Sequence, residues 1–190
     1  MPQISDLNAS PSDKLRELML HIAKKSETTP CFGSIKMNKV LFYSDFLWYA
    51  ATGQSITGTT YVKRDRGPAP RGLLPVQEKM LADKAATLEH RPVFPRGWEK
   101  RLIPSRPAQL NGLFDADQIA FVDTVIESIA PLTSKQVSDG THQHLGWRLA
   151  DYNEEIPYFT VFLNDEVALP SDLVRGMKLA EKRGWKKDSI

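Results

Sequence analysis

The most apolar and aromatic run of this chain, Ile35–Thr52 (IKMNKVLFYSDFLWYAAT), limits the possible folds more than any other segment. Gly33 and Ser34 precede the run, and a serine there can cap a helix with its hydroxyl. Gly53 follows it, and glycine commonly ends helices. Apolar side chains cover nearly the whole circumference of such a helix, which is typical of a helix in the interior of a fold. The sequence therefore predicts a central buried helix over 35–52.

Three polar residues, Asn38, Asp45 and Thr52, interrupt this helix at intervals of seven residues. Seven residues make about two turns, so the three side chains are predicted to form one polar seam along the helix. Asp45 could be a catalytic acid or base, a partner contact or a structural carboxylate. Because a buried charge is costly unless it is satisfied, we expect a structural carboxylate that accepts from an arginine, a tyrosine hydroxyl or backbone N–H groups.

Shorter patterns on both sides of this helix predict the other elements. The spacing of apolar residues and the positions of Gly, Pro and capping residues indicate mainly helices, with a few short strands. The run Tyr158–Leu163 fits either a strand or a buried helix. The expected elements are a helix starting at Ser10-Pro11, a strand at 55–63, a loop at 64–71, a helix at 73–84, a hairpin of 86–91 with 98–103, helices after Asp115 and Thr133, and a last helix at 170–184.

The predicted fold is therefore a mainly α-helical α+β fold with a small antiparallel β element. We expect a single compact domain over residues 10–190, preceded by a flexible N-terminus at 1–9. The 190 residues carry a formal net charge of only +2, so a nucleic-acid partner is not expected. The basic segment at 175–187 is interpreted as a solvated helix end.

Cys31 is the only cysteine, which excludes an internal disulfide framework and a cysteine-rich zinc site. No segment resembles a signal peptide or a membrane span, so we expect a cytoplasmic protein without a membrane partner. No cofactor and no metal are predicted. As a nucleophile Cys31 lacks any recognisable motif, and a plain buried or surface thiol is the expectation.

Three segments together resemble the Panacea domain, also described as the SocA-like antitoxin or phage-associated family. They are KMNKVLFYSDFLWYAATGQSITG at 36–58, TTYVKRDRGPAPRGL at 59–73, and the elements from Ser138-Asp139 through Gly146-Trp147 to Ile156-Pro157-Tyr158. The resemblance is strongest over 36–160. It implies binding rather than catalysis, because such domains neutralise a toxin that is encoded beside them. One branch instead delivers its toxin to a protease as an adaptor. The sequence departs from the family pattern at Arg64–Arg66.

The loop with Arg64, Asp65, Arg66 and Arg71 is the first candidate for a partner-binding surface. Arginine forms bidentate contacts with carboxylates and is frequent at interface hot spots, and prolines within the loop reduce the entropy lost on docking. A solvated turn with local ion pairs is the alternative. Further candidate contacts are Trp98, Trp147 and His142, although tryptophan is more often largely buried.

A third hypothesis, from another class, is a metal-dependent or acid–base enzyme that uses His142, His144 and Asp45, with Asp139 and Asp151 nearby. In a helix the two histidines would point about 200° apart, and no third ligand stands at a diagnostic spacing. The expectation is therefore one histidine bonded within the fold and one solvated, with no enzymatic activity.

Overall fold

The computed structural model describes residues 9–93 and 97–163, together with the isolated positions Val174 and Lys178. Within these residues the fold is mainly helical with two small antiparallel sheets, as predicted. The helices are α1 (Pro11–Lys25), α2 (Ser34–Thr52), α3 (Leu73–Ala82), α4 (Ala116–Ile129), α5 (Ser134–His142) and α6 (Leu145–Leu149). The strands are β1 (Tyr61–Val62), β2 (Ala69–Pro70), β3 (Ala86–Pro92), β4 (Trp98–Pro104) and β5 (Glu155–Ile156), and a 3₁₀ helix spans Tyr158–Phe162.

Helix α2 is the central element, which confirms the prediction. It packs against α1, α4, α5, the 3₁₀ helix, β2 and β4. It ends at Gly53, whose φ of 78° lies in the left-handed region that suits glycine. The predicted cap at its start was wrong, because Gly33 is the N-cap and Ser34 is the first helical residue. The Ser34 hydroxyl instead donates to the Lys100 carbonyl on β4, over 2.8 Å.

Two clusters of buried side chains lie around α2. The larger cluster is mostly aliphatic and joins α2 to α1, α3, α4 and the β3–β4 hairpin. The smaller cluster is aromatic and joins α2 to β1, β5 and the 3₁₀ helix, with Phe42, Phe46, Tyr61 and Ile156 at its centre. A helix that is covered by two cores has little need for a polar face, which explains its apolar sequence.

The first sheet has the strand order β2–β1–β5, and both pairings are antiparallel. The predicted strand at 55–63 is reduced to β1, because the side chains of Asp45 and Thr57 bind the backbone N–H groups of Thr57 and Thr59. Gly58, with a φ of 71°, also turns the chain away from strand geometry. The predicted loop at 64–71 contributes the short strand β2. The β3–β4 hairpin is confirmed, and it runs from the pair Ala86 and Pro104 to the pair Pro92 and Trp98.

The capping signals at the starts of α1 and α5 are confirmed, unlike the one at α2. Ser10 and Asp13 form a capping box at the start of α1, and Thr133 accepts from the Gln136 N–H at the start of α5. The run at 158–163, left open between strand and helix, forms the 3₁₀ helix. The predicted helix at 170–184 lies outside the described residues apart from positions 174 and 178, and of the predicted flexible N-terminus at 1–9 only Ala9 is described.

In the described part of the chain, none of the helices combines the length and the apolarity needed to cross a bilayer.

Candidate functional site

A loop and the start of α3 cover the first half of α2 and enclose a cavity of about 420 Å³. This volume is typical of sites that take a small molecule or a few side chains of a partner. The lining combines cationic side chains with apolar ones. It consists of Ser34, Ile35, Asn38, Lys39, Arg64, Asp65, Arg66, Gly67, Pro68, Ala69, Pro70, Arg71, Leu73, Leu74 and Tyr152.

Lys39 is the buried cation of this cavity, with only 2% of its surface exposed. Its Nζ donates to the Arg66 carbonyl. Gly67 has a φ of +99°, and a Cβ at this position would collide with Lys39 Nζ and the Thr141 hydroxyl. The glycine therefore makes room for the amine beneath the loop. Burial lowers the pKa of Lys39 from 10.5 to about 7, because a desolvated ammonium is disfavoured.

The three arginines of the loop lie around this cavity with little local neutralisation. The guanidinium of Arg64 lies 5.6 Å from the centre of the Tyr152 ring, a cation–π distance. Arg71 approaches Glu155 at 3.8 Å, and both side chains are more than half exposed, so this pair is weak. Arg66 and Asp65 are exposed. The rim thus presents more positive than negative charge.

Trp147 and His142 support the loop from the side of α5 and α6. The Trp147 Nε1 donates to the Arg64 carbonyl over 3.1 Å. The indole stacks on the His142 ring with a centroid distance of 4.0 Å, and Lys63 Nζ lies 4.8 Å from the indole centre. Burial, followed by the positive charges of Lys39 and Lys63, lowers the pKa of His142, so its imidazole is neutral at pH 7. Trp147 therefore holds the loop through its backbone, and His142 packs on the indole that does so.

Asp45 is fully buried and its carboxylate accepts three hydrogen bonds from neighbouring elements. The donors are the Thr57 N–H at 2.7 Å, the Thr57 hydroxyl at 2.5 Å and the Tyr61 hydroxyl at 2.8 Å. Burial raises the pKa of Asp45, while these bonds oppose the rise. The carboxylate ties α2 to β1 and the segment before it.

The three residues of the enzyme hypothesis do not form one constellation. His144 packs edge-on against Phe42 and Phe46, at 5.2 and 5.3 Å between ring centroids, and burial lowers its pKa. Within the described residues, no hydrogen bond joins His142, His144 and Asp45 to one another. Over the same residues, no group of three His, Cys, Asp or Glu side chains is arranged to hold a metal ion.

The remaining candidates lie in different surroundings. Asn38 lines the cavity, whereas Thr52 is exposed and donates to the Trp48 carbonyl over 2.9 Å. The three residues of the predicted seam therefore lie in a cavity wall (Asn38), in the core (Asp45) and at the surface (Thr52). Trp98 is 74% exposed at the start of β4 and does not line the cavity, so the general tendency of tryptophan to be buried does not hold for this residue. Cys31 is exposed.

Sequence reasoning missed Lys39, the residue at the centre of the cavity. A signal was present, because Lys36 and Lys39 both lie within the helix predicted to be apolar all round. A lysine in such a helix must bury its amine, find an acceptor or open onto a cavity. Here Lys36 donates to the Ala130 carbonyl over 2.8 Å, and Lys39 opens onto the cavity.

The fold and the cavity together define a mainly helical α+β protein with a basic, partly apolar cavity beside its central helix. The chain belongs to the antitoxin SocA-like, Panacea domain family, whose profile matches residues 37–148, more than half of the sequence. This membership supports a role in a toxin–antitoxin system in general, with a toxin as partner, and it suggests a non-enzymatic role. No curated protein and no solved structure shows a significant match to the chain.

Proposed function

We propose that this protein is an antitoxin that neutralises its cognate toxin by direct protein–protein interaction, and that the loop at 64–71 forms part of the contact surface. The observation that carries the proposal is the basic cavity beneath this loop, found in a chain of an antitoxin-like family. The cytoplasm is the proposed location, because a chain whose only cysteine is an exposed free thiol suits a reducing compartment.

The loop combines charge with restricted motion. Arg64, Arg66 and Arg71 offer guanidinium groups that can form bidentate bonds with carboxylates of a partner. Pro68 and Pro70 restrict the backbone between Arg66 and Arg71, and Pro70 belongs to strand β2. The Trp147 indole also holds the loop through its hydrogen bond to the Arg64 carbonyl. A surface that is already ordered loses less entropy on binding, which favours affinity.

Co-expression with the product of the neighbouring gene tests the proposal. That product is expected to arrest growth alone and to become harmless beside this protein. The triple change Arg64→Gln, Arg66→Gln and Arg71→Gln should weaken both rescue and complex formation. Arg91→Gln removes a partly exposed arginine of the hairpin, away from the cavity, and serves as the control. A harmless neighbour, or a neighbour that stays toxic beside the wild-type protein, contradicts the proposal.

The same strains separate sequestration from delivery to a protease. If neutralisation works by binding alone, the half-life of the toxin stays unchanged or increases when this protein is present. A shorter half-life that depends on this protein would identify a proteolytic adaptor instead.

A further inference from the structure

We infer that the cavity beneath the loop receives an acidic side chain of the partner, which places a carboxylate beside Lys39 while a neighbouring apolar residue packs on the cavity wall. This inference rests on the proposed function for the statement that the acidic segment belongs to the toxin. The chemistry of the site itself is argued from the cavity.

Lys39 has unused hydrogen-bonding capacity. A protonated lysine has three N–H donors, and the described acceptor is the Arg66 carbonyl alone. Among the described residues no carboxylate forms an ion pair with Lys39, and burial alone accounts for its lowered pKa. Lys39 lines the cavity with only 2% of the residue exposed, so its ammonium is buried without a negative partner among the described residues. A carboxylate in the cavity would supply one.

The surrounding charges favour the same ligand. Arg64, Arg66 and Arg71 attract an acidic segment to the cavity mouth, and Asp65 is the carboxylate on the lining. His142, whose pKa is lowered partly by Lys39, faces the same amine from α5 and is neutral at pH 7. Lys39 thus provides the cationic contact inside the cavity, while the arginines provide those at its mouth.

The apolar part of the lining points to a protein segment rather than a free small anion. Ile35, Leu73 and Leu74 line the cavity together with Pro68 and Pro70, and Leu74 is 65% exposed. An exposed leucine and partly buried apolar side chains beside a cationic group match a peptide that carries a leucine-like residue next to a glutamate or aspartate. A small free carboxylate would leave this wall uncovered.

A pair of short peptides tests this chemistry without the toxin. Acetyl-Leu-Glu-Glu-Leu-amide is titrated to millimolar concentration into the full chain, with acetyl-Leu-Gln-Gln-Leu-amide as the matched control. The ¹³Cε resonance of Lys39 is followed by NMR and assigned by its loss in Lys39→Met. The glutamate peptide should move this resonance saturably toward its protonated position, because a nearby carboxylate favours the ammonium. The glutamine peptide should leave it in place.

Variants locate the binding. Arg66→Gln, at an exposed position, should weaken binding of the glutamate peptide about tenfold. Lys36→Met removes the other buried lysine of α2, which lies outside the cavity lining, and should leave binding unchanged. Equal response to both peptides, no response to either, or full affinity in Arg66→Gln would overturn the inference. The last result does so even if Lys39→Met fails to fold.

The two proposals fail in distinguishable ways. If the neighbouring gene product is harmless but the glutamate peptide binds, the proposed function is wrong and the cavity chemistry stands. If a toxin complex forms and Lys39→Met and Arg66→Gln bind the toxin as wild type does, the inference is wrong and the antitoxin function stands.

Discussion

Two ionisable residues on the same helix, Asp45 and Lys39, are both buried, yet their surroundings are opposite. Asp45 accepts three hydrogen bonds from Thr57 and Tyr61 and has no solvent exposure. Lys39 donates to one carbonyl and lines a cavity that opens between the loop and α3. Both side chains are buried, but Asp45 has three described hydrogen bonds and Lys39 has one.

The comparison shows that the hydrogen bonds a buried ionisable side chain already makes, more than its burial, distinguish a structural residue from a candidate binding residue. A carboxylate that accepts three hydrogen bonds and is fully buried gives a ligand no access, so Asp45 serves as a connection between α2 and β1. Lys36, like Lys39, donates to one described carbonyl, but that acceptor belongs to Ala130 at the end of α4, where the helix dipole is negative, and Lys36 does not line the cavity. Lys39 has capacity left.

The largest effect is expected at Asp45. Asp45→Ala leaves the Thr57 N–H, the Thr57 hydroxyl and the Tyr61 hydroxyl buried without an acceptor, and should lower the free energy of unfolding by about 4 kcal/mol. Thr52→Ala removes an exposed member of the predicted seam and should change it by less than about 0.5 kcal/mol. Urea unfolding of both variants measures the difference. Equal losses would show that Asp45 is not the connection described here.

A smaller effect is expected from the titration of Lys39. The pKa of this amine is about 7 in the native state and 10.5 in the unfolded chain. Between these values the unfolded chain binds the extra proton, so the free energy of unfolding rises with pH by up to about 1.4 kcal/mol per unit. Below pH 7 the amine is protonated in both states, so Lys39 no longer makes the free energy of unfolding depend on pH.

Urea unfolding of wild type and Lys39→Met between pH 7 and pH 9 measures this dependence. The variant should lack the part of the slope that belongs to Lys39, together with the smaller change that loss of the Lys39 charge makes to the pKa of His142. Parallel curves for the two proteins would contradict a lowered pKa of Lys39, and with it the contrast with Asp45.

The smallest effect on stability is expected at Gly67. Gly67→Ala places a Cβ against Lys39 Nζ and the Thr141 hydroxyl at a φ that side chains rarely adopt, and should lower the free energy of unfolding by about 2 kcal/mol. It should also weaken binding of the glutamate peptide, because Lys39 must move. Gly72→Ala, in open space with a φ of −83°, is the control and should have neither effect. Identical behaviour of the two variants would show that the space at Gly67 does not matter.

Much of the fold could be predicted because its signals are local. The boundaries of α2, the capping residues Ser10 and Thr133, and the apolar stripe of α4 depend on neighbours a few residues away. The strand predicted at 55–63 failed for a reason that is not local. Asp45 binds the backbone N–H of Thr57, and no pattern within the strand itself indicates that competition.

The candidate site was predictable in part. The loop with Arg64, Arg66 and Arg71 was identified from its arginines and prolines, and these residues do line the cavity. Lys39 was not identified, because its role depends on Gly67 and Thr141, which come from distant parts of the chain. The stack of His142 on Trp147 likewise requires α5 and α6 to meet.

The amino-acid sequence by itself determined that a helix at the centre of the fold would be covered over most of its length, since its apolar surface must be removed from water. It also determined which loop carries exposed positive charge. Only the tertiary structure decided which of the buried polar side chains on that helix would be fully bonded and which would face a cavity. The physical reason is that hydrophobic periodicity is written along the chain, whereas the partners of a buried charge come from segments that meet only after folding.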